Sequence, residues 1–582
     1  MLELLVQMGI LKIAVKVLSI STLLGSTLAR NAFESLHNIP HGWEFSREGD
    51  PNANIRLRLS LKQQNVNIFL EDFLAISTPG HAKYGQHFEG HEIRRMLKPT
   101  DETSNMVLEW LQQSGISSIQ DDGDYVQFQT TVENAGRMMN TRFNFYRHIH
   151  TGEKLLRILQ YSVLDEVASH INFIQPTTTF GVPRRQIYTS DIIDEELSST
   201  SVVCSGNGVA GKLTGPTDSK VLASCNLTIT PKCLHDLYKV HYKPETTCSN
   251  TIGYASFVEE YARYTDLAKF DAKYLPHANG TTQNDSGEAN LDQQYALATG
   301  YPISITEFST GGRDILIPDG ASPTLSSNTN EPYLTFLLSL LALTNNAIQN
   351  SISISYGEPE QEVPAGYASQ VCSLFAELGA RGKSVIVSSG DSGDSGTGEY
   401  CLSNDGTNTT RFMAVLPASC PPAVRMLLAW AGRGFSNLFP RPSYQTPSIP
   451  LYLSSLGSLN AGLFNSSGRG FPDIAMQSQN YRIFNQNVEI GTCCREADVG
   501  AFFNPWTYEV GEREFRDVVE GGSRGCDGRE QSGGALNGGP VIEGASWNAM
   551  RGWDPVTGFG TPDFEKLLQI STPGVKNEGG VL

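Results

Sequence analysis

Apolar and polar residues follow two different periods in the first third of the chain. Short stretches alternate apolar with polar residues, as half-buried strands do, and the stretches between them repeat apolar residues at helical spacing. This mixture predicts an α+β domain over residues 33–195. The strand candidates are residues 55–61, 125–131 and 157–161, and the helix candidates are residues 66–76, residues 104–114 and a segment that opens at Val132.

The pattern changes near residue 229, where apolar β-branched runs alternate with longer helical segments. Strand, helix and strand joined by short connections predict right-handed crossovers in a parallel sheet, and so an α/β domain over residues 225–572. Residues 196–224 between the two domains are rich in Ser, Thr and Gly, which predicts an exposed linker or processing region. The strand candidates here are residues 303–305, 351–355 and 384–389, and the helix candidates are residues 331–343 and 365–379.

Two carboxylates, Glu288 and Asp292, are four residues apart in a stretch with few helix breakers. On a helix they would lie one turn apart on the same face. Spacing alone favours a solvated helix face. The other interpretation, a pair of acids that act on one bound group, depends on the rest of the chain.

The composition points to a secreted, soluble chain. The net charge of -18 over 582 residues argues against a nucleic-acid partner. An apolar segment over residues 10–24, followed by small residues, predicts a signal peptide over residues 1–29 and is too short for a membrane span. Ten cysteines and five glycosylation sequons are typical of an extracellular glycoprotein. The sequons are at Asn226, Asn279, Asn284, Asn408 and Asn465.

Histidine placement restricts the chemistry. None of the eleven histidines follows His277. The larger part of the second domain therefore holds neither an imidazole general base nor a histidine metal ligand, which excludes a Ser-His-Asp or HExxH site made within it. A further acid, Asp391, comes directly after the strand candidate at residues 384–389. The carboxyl end of a parallel strand is where catalytic groups collect, although an Asp-Ser-Gly turn is the plainer interpretation of Asp391 alone.

Taken together, these segments closely resemble the sedolisin family of serine-carboxyl peptidases, in particular the secreted fungal tripeptidyl-peptidase type. The resemblance covers nearly the whole chain, including the family's pro-segment at residues 77–85. In the second domain the matching runs are residues 287–292, 308–312, 353–357, 388–393, 417–421, 434–437, 469–473 and 552–558.

The resemblance implies a subtilisin-like peptidase domain, made as a zymogen behind its own pro-domain and acting as a monomer on peptides. It implies that Glu288 is the general base, that Asp292 orients it and that Asp391 stabilises the oxyanion. A carboxylate base suits acid conditions, where imidazole is fully protonated, and a protonated Asp391 can donate a hydrogen bond. Release of tripeptides from free N-termini rests on the resemblance alone.

The resemblance also implies one calcium ion, held by hard oxygen ligands. The side chains of Asp517 and Asp554 and the carbonyls of Val518, Met550 and Gly552 would bind it. A disulfide between Cys401 and Cys420, which would close one loop, is a plausible pairing, although sequence does not fix connectivity.

The chain departs from the family at the nucleophile. The family's Gly-Thr-Ser motif is absent, and Gly491-Thr492-Cys493 stands where it belongs, without most of the helix that should follow. A second gap follows Cys420, where the family has a strand that ends in a Gly-Gly-Thr turn. Loss of a core strand and helix would leave sheet and apolar surface uncovered.

Three interpretations of these gaps compete. The favoured one is a gene model with misjudged splice sites, because both flanks of each gap keep the family pattern. The second is an inactive scaffold that binds calcium and peptides without turnover. The third puts Cys493 in the serine's place and ranks last, since little thiolate forms in acid.

Eight of the eleven histidines lie before residue 171 and suggest a pH trigger for the zymogen. Protonation as the pH falls through about 6.5 would add charge to the pro-domain. The added charge would either loosen or tighten its contact with an acidic peptidase domain, and the sequence does not give the direction. These histidines are equally well explained as ordinary surface residues.

Overall fold

The structure is a computed structural model that describes most of residues 32–571. The predicted signal peptide lies outside the described residues, as do Asp391, Cys493 and the sequons at Asn279 and Asn284. Within residues 32–571 the positions left out are 37, 40–42, 150–151, 153, 179–208, 214–220, 241–249, 259, 277–286, 315, 318–327, 329, 391–392, 396–399, 406, 423, 428–432, 478–480, 492–503 and 529–538.

The N-terminal domain is built on a four-stranded antiparallel sheet of order β4-β5-β3-β9. Strand β3 alternates as predicted, so that Ile55, Leu57 and Leu59 are buried in the domain's core. The strands are β1 (Glu34–Ser35), β2 (Trp43–Glu48), β3 (Asn54–Leu61), β4 (Ile119–Asp121), β5 (Tyr125–Thr131), β6 (Asn144–His148), β7 (Lys154–Arg157), β8 (Gln160–Tyr161) and β9 (Ile171–Gln175).

Helices cover this sheet, and two of them begin at threonine caps. Thr100 accepts a hydrogen bond from the Thr103 amide at 3.0 Å, and Thr131 caps the helix that opens at Val132. The predicted helices are confirmed, whereas the strand predicted over residues 157–161 is split between β7 and β8. The helices are α1 (Val66–Ser77), α2 (Gly90–Leu97), α3 (Asp101–Gln113), α4 (Val132–Met138) and α5 (Asp165–Ala168).

The C-terminal domain is organised around a six-stranded parallel sheet of order β12-β11-β13-β15-β17-β20. Its strands are β10 (Val209–Leu213), β11 (Thr251–Ser256), β12 (Ser304–Ser309), β13 (Ser351–Ile354), β14 (Glu358–Pro359), β15 (Ser384–Ser388), β16 (Val415–Leu416), β17 (Val424–Leu427), β18 (Gly434–Pro440), β19 (Gly468–Phe471), β20 (Ile474–Ala475), β21 (Arg482–Asn485), β22 (Val488–Gly491), β23 (Phe515–Arg516), β24 (Val518–Arg524), β25 (Ser546–Asn548) and β26 (Thr561–Pro562).

Helices join the parallel strands, as the crossover pattern predicts, and the α/β architecture behind an α+β domain is confirmed. Among the helices that the structure describes, none has the length and apolar character needed to cross a membrane. The helices are α6 (Pro231–Tyr238), α7 (Tyr264–Tyr274), α8 (Gly287–Gly300), α9 (Tyr333–Leu341), α10 (Ala365–Ala380), α11 (Ile449–Leu456), α12 (Asn504–Glu514, kinked at Gly511) and α13 (Phe564–Ser571).

Two regions differ from the sequence predictions. Strand β10 lies inside the predicted linker and pairs with β24, so part of residues 196–224 belongs to a sheet of the second domain. The core strand expected to be lost after Cys420 is present, because β17 pairs with β15 on one side and β20 on the other. Backbone groups make those pairs, so a short and divergent segment still closes the sheet.

The predicted Cys401–Cys420 disulfide is wrong. Cys420 pairs with Cys372 on α10, and Cys401 pairs with Cys526. Cys401 and Cys526 lie in one apolar cluster and Cys420 in another, so distant parts of the chain supply the nearest thiols. Cys225 and Cys233 form a third disulfide.

Candidate functional site

The acid pair lies on a buried helix, not on a solvated one. Glu288 and Asp292 are one turn apart on α8 and are 6% and 3% exposed. Leu291 and Tyr295 of the same helix pack into an apolar cluster with α7 and strand β21. The solvated-face interpretation is therefore wrong, because both side chains are withdrawn from solvent.

Asp292 contacts the carboxyl edge of the parallel sheet. Its Oδ1 accepts a hydrogen bond of 2.8 Å from the hydroxyl of Ser355, the residue that follows β13. Tyr254 on neighbouring β11 has no exposed surface, and its pKa is raised first by burial, then by Glu307 and Asp292. The acid pair thus sits where parallel strands end, the usual position of catalytic groups in such sheets.

A third acid of this edge, Glu307, was missed by the sequence predictions. Its Oε1 accepts hydrogen bonds from the Ser256 hydroxyl at 2.7 Å and from the Ala262 amide at 3.4 Å. Ser256 ends β11, and Glu307 lies near the end of β12. The sequence signal that could have identified Glu307 is the presence of polar residues at the ends of two strands that are adjacent in the parallel sheet.

The hairpin of β21 and β22 holds α8 in place. The side-chain NH₂ of Gln294 donates a hydrogen bond of 2.8 Å to the Phe484 carbonyl, and its side-chain oxygen accepts one of 2.9 Å from the Phe484 backbone amide. Two paired β-strand residues exchange hydrogen bonds in the same way. Asn290 donates to Asn485 at 3.0 Å, and the Tyr295 hydroxyl donates to the carbonyls of Ile229 and Arg482. The hairpin ends at Gly491. The segment expected to carry the nucleophile therefore follows directly, in the sequence, the hairpin that binds α8.

Two predicted positions cannot be placed against this edge. Asp391 and Cys493 lie outside the described residues. Along the chain, the last described residue before Asp391 is Gly390, which follows β15. The last described residue before Cys493 is Gly491, which ends β22. The structure therefore brings together Glu288 and Asp292 of the predicted acids.

The two acids predicted to bind calcium meet elsewhere in the same domain. Asp554 has no exposed surface, and burial raises its pKa to about 7, with the nearby Asp517 acting in the same direction. Asp554 accepts backbone hydrogen bonds of 2.7 to 2.9 Å from Met550, Val556 and Thr557. These amides form a tight loop around the carboxylate.

The second acid closes that loop. Asp517 Oδ2 accepts a 2.9 Å hydrogen bond from the amide of Gly552, a residue with φ of 84°. No group of three or more His, Cys, Asp and Glu side chains arranged for a metal occurs among the described residues. The carboxylate oxygens of Asp517 and Asp554 are hard ligands of the kind that calcium prefers. The main-chain groups described around them are amides that donate hydrogen bonds to these oxygens.

Comparison with known protein families identifies the N-terminal domain. Residues 41–180 match the family described as pro-kumamolisin, activation domain. These residues lie within the α+β domain of the structure and supply most of its sheet and helices.

Similarity also extends along nearly the whole chain. A probable tripeptidyl-peptidase, SED3, of Trichophyton verrucosum (strain HKI 0517) is 37% identical over 591 residues, 93% of this chain and 95% of the relative. A probable tripeptidyl-peptidase, SED2, of Arthroderma benhamiae (strain ATCC MYA-4681 / CBS 112371) is 36% identical over 594 residues, 93% and 96% of the two chains. The tripeptidyl-peptidase SED2 of Arthroderma otae (strain ATCC MYA-4605 / CBS 113480) is 36% identical over 586 residues, 92% and 95%.

Proposed function

Because the chain belongs to the sedolisin family of serine-type tripeptidyl-peptidases, with a family activation domain at its N-terminus, we propose that it is a secreted zymogen. Its mature form removes tripeptides from the free N-termini of peptides in acid. The signal-like segment over residues 1–29 and the sequons support export. Asn408, one of these sequons, is exposed and so accessible to glycosylation.

The observation that carries this proposal is the burial of Glu288 and Asp292 together at the carboxyl edge of the parallel sheet. An ionised carboxylate beside a second acid can take a proton from a nucleophile. Such a base works at a lower pH than imidazole. Asp292, held by Ser355, would orient Glu288.

The remaining roles rest on the family resemblance. Asp391 would donate a hydrogen bond to the oxyanion, and its place two residues after Ser389 supports this assignment. The nucleophile would come from the segment after β22, where the chain reads Gly491-Thr492-Cys493. One observation favours a second candidate function, an inactive peptide-binding scaffold: the chain has no Gly-Thr-Ser motif.

We also propose that one calcium ion binds between Asp517 and Asp554, with the carbonyls of Val518, Met550 and Gly552 completing the set. Burial is the main cause of the raised pKa of Asp554, and the charge of Asp517 adds to it. A divalent cation bound to both carboxylates would offset the cost of burying them and their mutual repulsion. The ion would supply rigidity and not chemistry. Gly558 lies so close to Asp473, next to β20, that a Cβ at this position would be 2.2 Å from the Asp473 carbonyl. A calcium loop made rigid by the ion would therefore also restrain the backbone beside β20.

The test compares two full-length chains, the natural sequence and Cys493→Ser, which recreates Gly-Thr-Ser with one atom changed. Each is incubated between pH 3 and 7 with a peptide whose N-terminus is free and with its acetylated copy, and the products are weighed by mass spectrometry. We expect the serine variant to release tripeptides from the free peptide only, with an acid optimum.

The outcomes separate the candidates. Tripeptide release by the serine variant but not by the natural chain supports a peptidase scaffold that lacks its nucleophile as written. Release by the natural chain assigns the role to Cys493 or to another group. No release by either chain overturns the peptidase proposal and leaves the binding scaffold. Sequencing the transcript across residues 420–505 then tells a splicing error from a true sequence.

A further inference from the structure

Helix α10 lies between the two domains and is buried on both sides. Tyr367, Val371 and Phe375 face the core of the parallel sheet. Ala376 and Ala380, on another side, pack against Phe69, Phe73 and Ile76 of α1 and against Ile93 and Leu97 of α2. The pro-domain therefore covers a helix that would otherwise expose an apolar face.

The contact is close at both ends of the helix. At the C-terminal end of α10, the backbone amide of Phe88 in the pro-domain donates a hydrogen bond of 2.9 Å to the Ala380 carbonyl. The side-chain amide of Asn345 donates one of 3.0 Å to the Phe88 carbonyl. At its N-terminal end a Cβ on Gly366 would lie 3.2 Å from the Asn172 carbonyl oxygen of β9. Such spacing leaves no layer of water between the domains.

An acid is enclosed in this contact. Glu377, one residue after Ala376, is 7% exposed. Burial raises its pKa from 4.5 to about 8, and the pro-domain's Asp124 acts in the same direction. Gln63 of the pro-domain, Arg381 and Arg94 act in the opposite direction and only reduce the effect. Burial also raises the pKa of Asp124 itself.

We propose that docking of the pro-domain on α10 takes up a proton at Glu377, so that the zymogen contact is tighter in acid than at neutral or alkaline pH. Without the pro-domain, Glu377 would face solvent and ionise near its ordinary pKa. A group whose pKa rises on docking contributes stability that is complete below the free pKa of about 4.5 and is lost as the pH rises through about 8. Acid therefore does not loosen the pro-domain through this contact.

The predicted histidine trigger has the opposite sign and a smaller effect. His87 lies against Gly382, between Arg381 and Lys383, and its pKa is lowered first by burial and then by Lys383. Its protonation would weaken docking as the pH falls below about 6.5. Glu89 acts on both cations, and Glu377 acts on Arg381 as well. Part of the His87 surface remains in solvent, which screens the repulsion, whereas Glu377 is enclosed.

The experiment is hydrogen exchange with mass spectrometry on the full-length chain from pH 5 to 8.5, with each rate divided by the intrinsic rate at that pH. Two peptides report on the contact, residues 69–77 of the pro-domain and residues 370–380 of α10. We expect protection of both to fall with rising pH, by up to about tenfold per pH unit. In Glu377→Gln, which keeps the shape and stays neutral, the fall should disappear.

Three controls make the result specific. Glu71→Gln changes an exposed acid on α1 and should leave the fall unchanged. Asp124→Asn should reduce the fall, and His87→Gln, compared with the exposed His91→Gln, should increase protection slightly below pH 6.5. A fall that persists in Glu377→Gln, or one confined to residues 370–380, would overturn the proposal. Hydrogen exchange does not depend on peptidase activity, so this experiment can fail or succeed independently of the proposed function. Only the meaning of the contact for zymogen activation rests on the proposed function.

Discussion

The acid side and the nucleophile side of the candidate active site are anchored in different ways. Helix α8 on the acid side is tied to β13 through Asp292 and Ser355 and to the β21–β22 hairpin through Gln294 and Tyr295. Side chains make these contacts, so their identity matters at each position. Residues 287–292 and 353–357 on this side are among the runs that resemble the family.

The nucleophile side, here strands β15, β17 and β20 with Arg469 and Asp473, is held by main-chain pairs and by buried side-chain contacts, among them an ion pair. Strand β17 pairs with β15 and β20 through its backbone, and the amide of Phe559 donates 2.9 Å to the Asp473 carbonyl. Arg469 and Asp473 form an ion pair of 2.7 Å with no exposed surface. Backbone pairing tolerates divergent sequence, which explains how the sheet closes although the nucleophile motif has changed.

The difference teaches that fold and chemistry can be lost separately in one domain. A strand needs only donors and acceptors at the right spacing, whereas catalysis needs particular side chains within hydrogen-bond reach. The acid side should therefore respond to substitution in activity, and the nucleophile side in stability.

The largest effect is expected at the acid side. Glu288→Gln, made in whichever chain releases tripeptides, removes the general base and should lower kcat by about 10²- to 10⁴-fold. Steady-state kinetics at the optimum pH measure it, with Glu543→Gln, an exposed acid of the same domain, as the control. Unchanged kcat would remove Glu288 from the mechanism and with it the proposed division.

A large loss of stability is expected at the nucleophile side. Asp473→Asn leaves Arg469 buried and charged without its partner, which costs about 3–5 kcal/mol in unfolding free energy. Urea denaturation followed by tryptophan fluorescence measures it. Asp101→Asn, which breaks an exposed ion pair with Lys98, should cost at most about 1 kcal/mol. Equal losses in the two variants would contradict the assigned role of the buried pair.

Calcium should stabilise the nucleophile side by an intermediate amount. At an excess of about 100 times its dissociation constant, the ion adds about 2.7 kcal/mol to the unfolding free energy. Thermal unfolding of the full chain with calcium and with a chelator measures the difference. Asp554→Asn should abolish it and Asp165→Asn should keep it. A natural chain whose unfolding temperature ignores calcium would refute the site.

The smallest effect is expected at Ser355. Ser355→Ala removes the hydroxyl that donates to Asp292, and a typical hydrogen bond of this kind contributes about 0.5–1.5 kcal/mol. A hydrogen bond to the ionised carboxylate favours that form, so its loss should move the acid limb of the pH–rate profile to higher pH. Ser355→Thr, which keeps the hydroxyl, should restore the natural profile. A limb that moves to lower pH, or not at all, would show that this bond does not tune the acid pair.

Local elements were predictable from the sequence because they depend on near neighbours. The alternation at Ile55, Leu57 and Leu59 fixed β3, and the spacing of Glu288 and Asp292 placed both acids on one helix face. The absence of histidine after His277 excluded the common hydrolytic sites. The family resemblance then assigned roles to acids that spacing alone had left ambiguous.

Contacts between distant residues were decided only by the tertiary structure. Cys401 pairs with Cys526, which is 125 residues away in the sequence, and not with Cys420, which is 19 residues away. The reason is that Cys401 and Cys526 lie in the same apolar cluster. Glu377 looked like one polar residue of an amphipathic helix, and it became a buried acid because the pro-domain covers that face. The sequence by itself determined which residues can form a helix, a strand or an acid pair. Burial, pairing partners and proton affinity depend on what packs against them, and that is set by the whole fold.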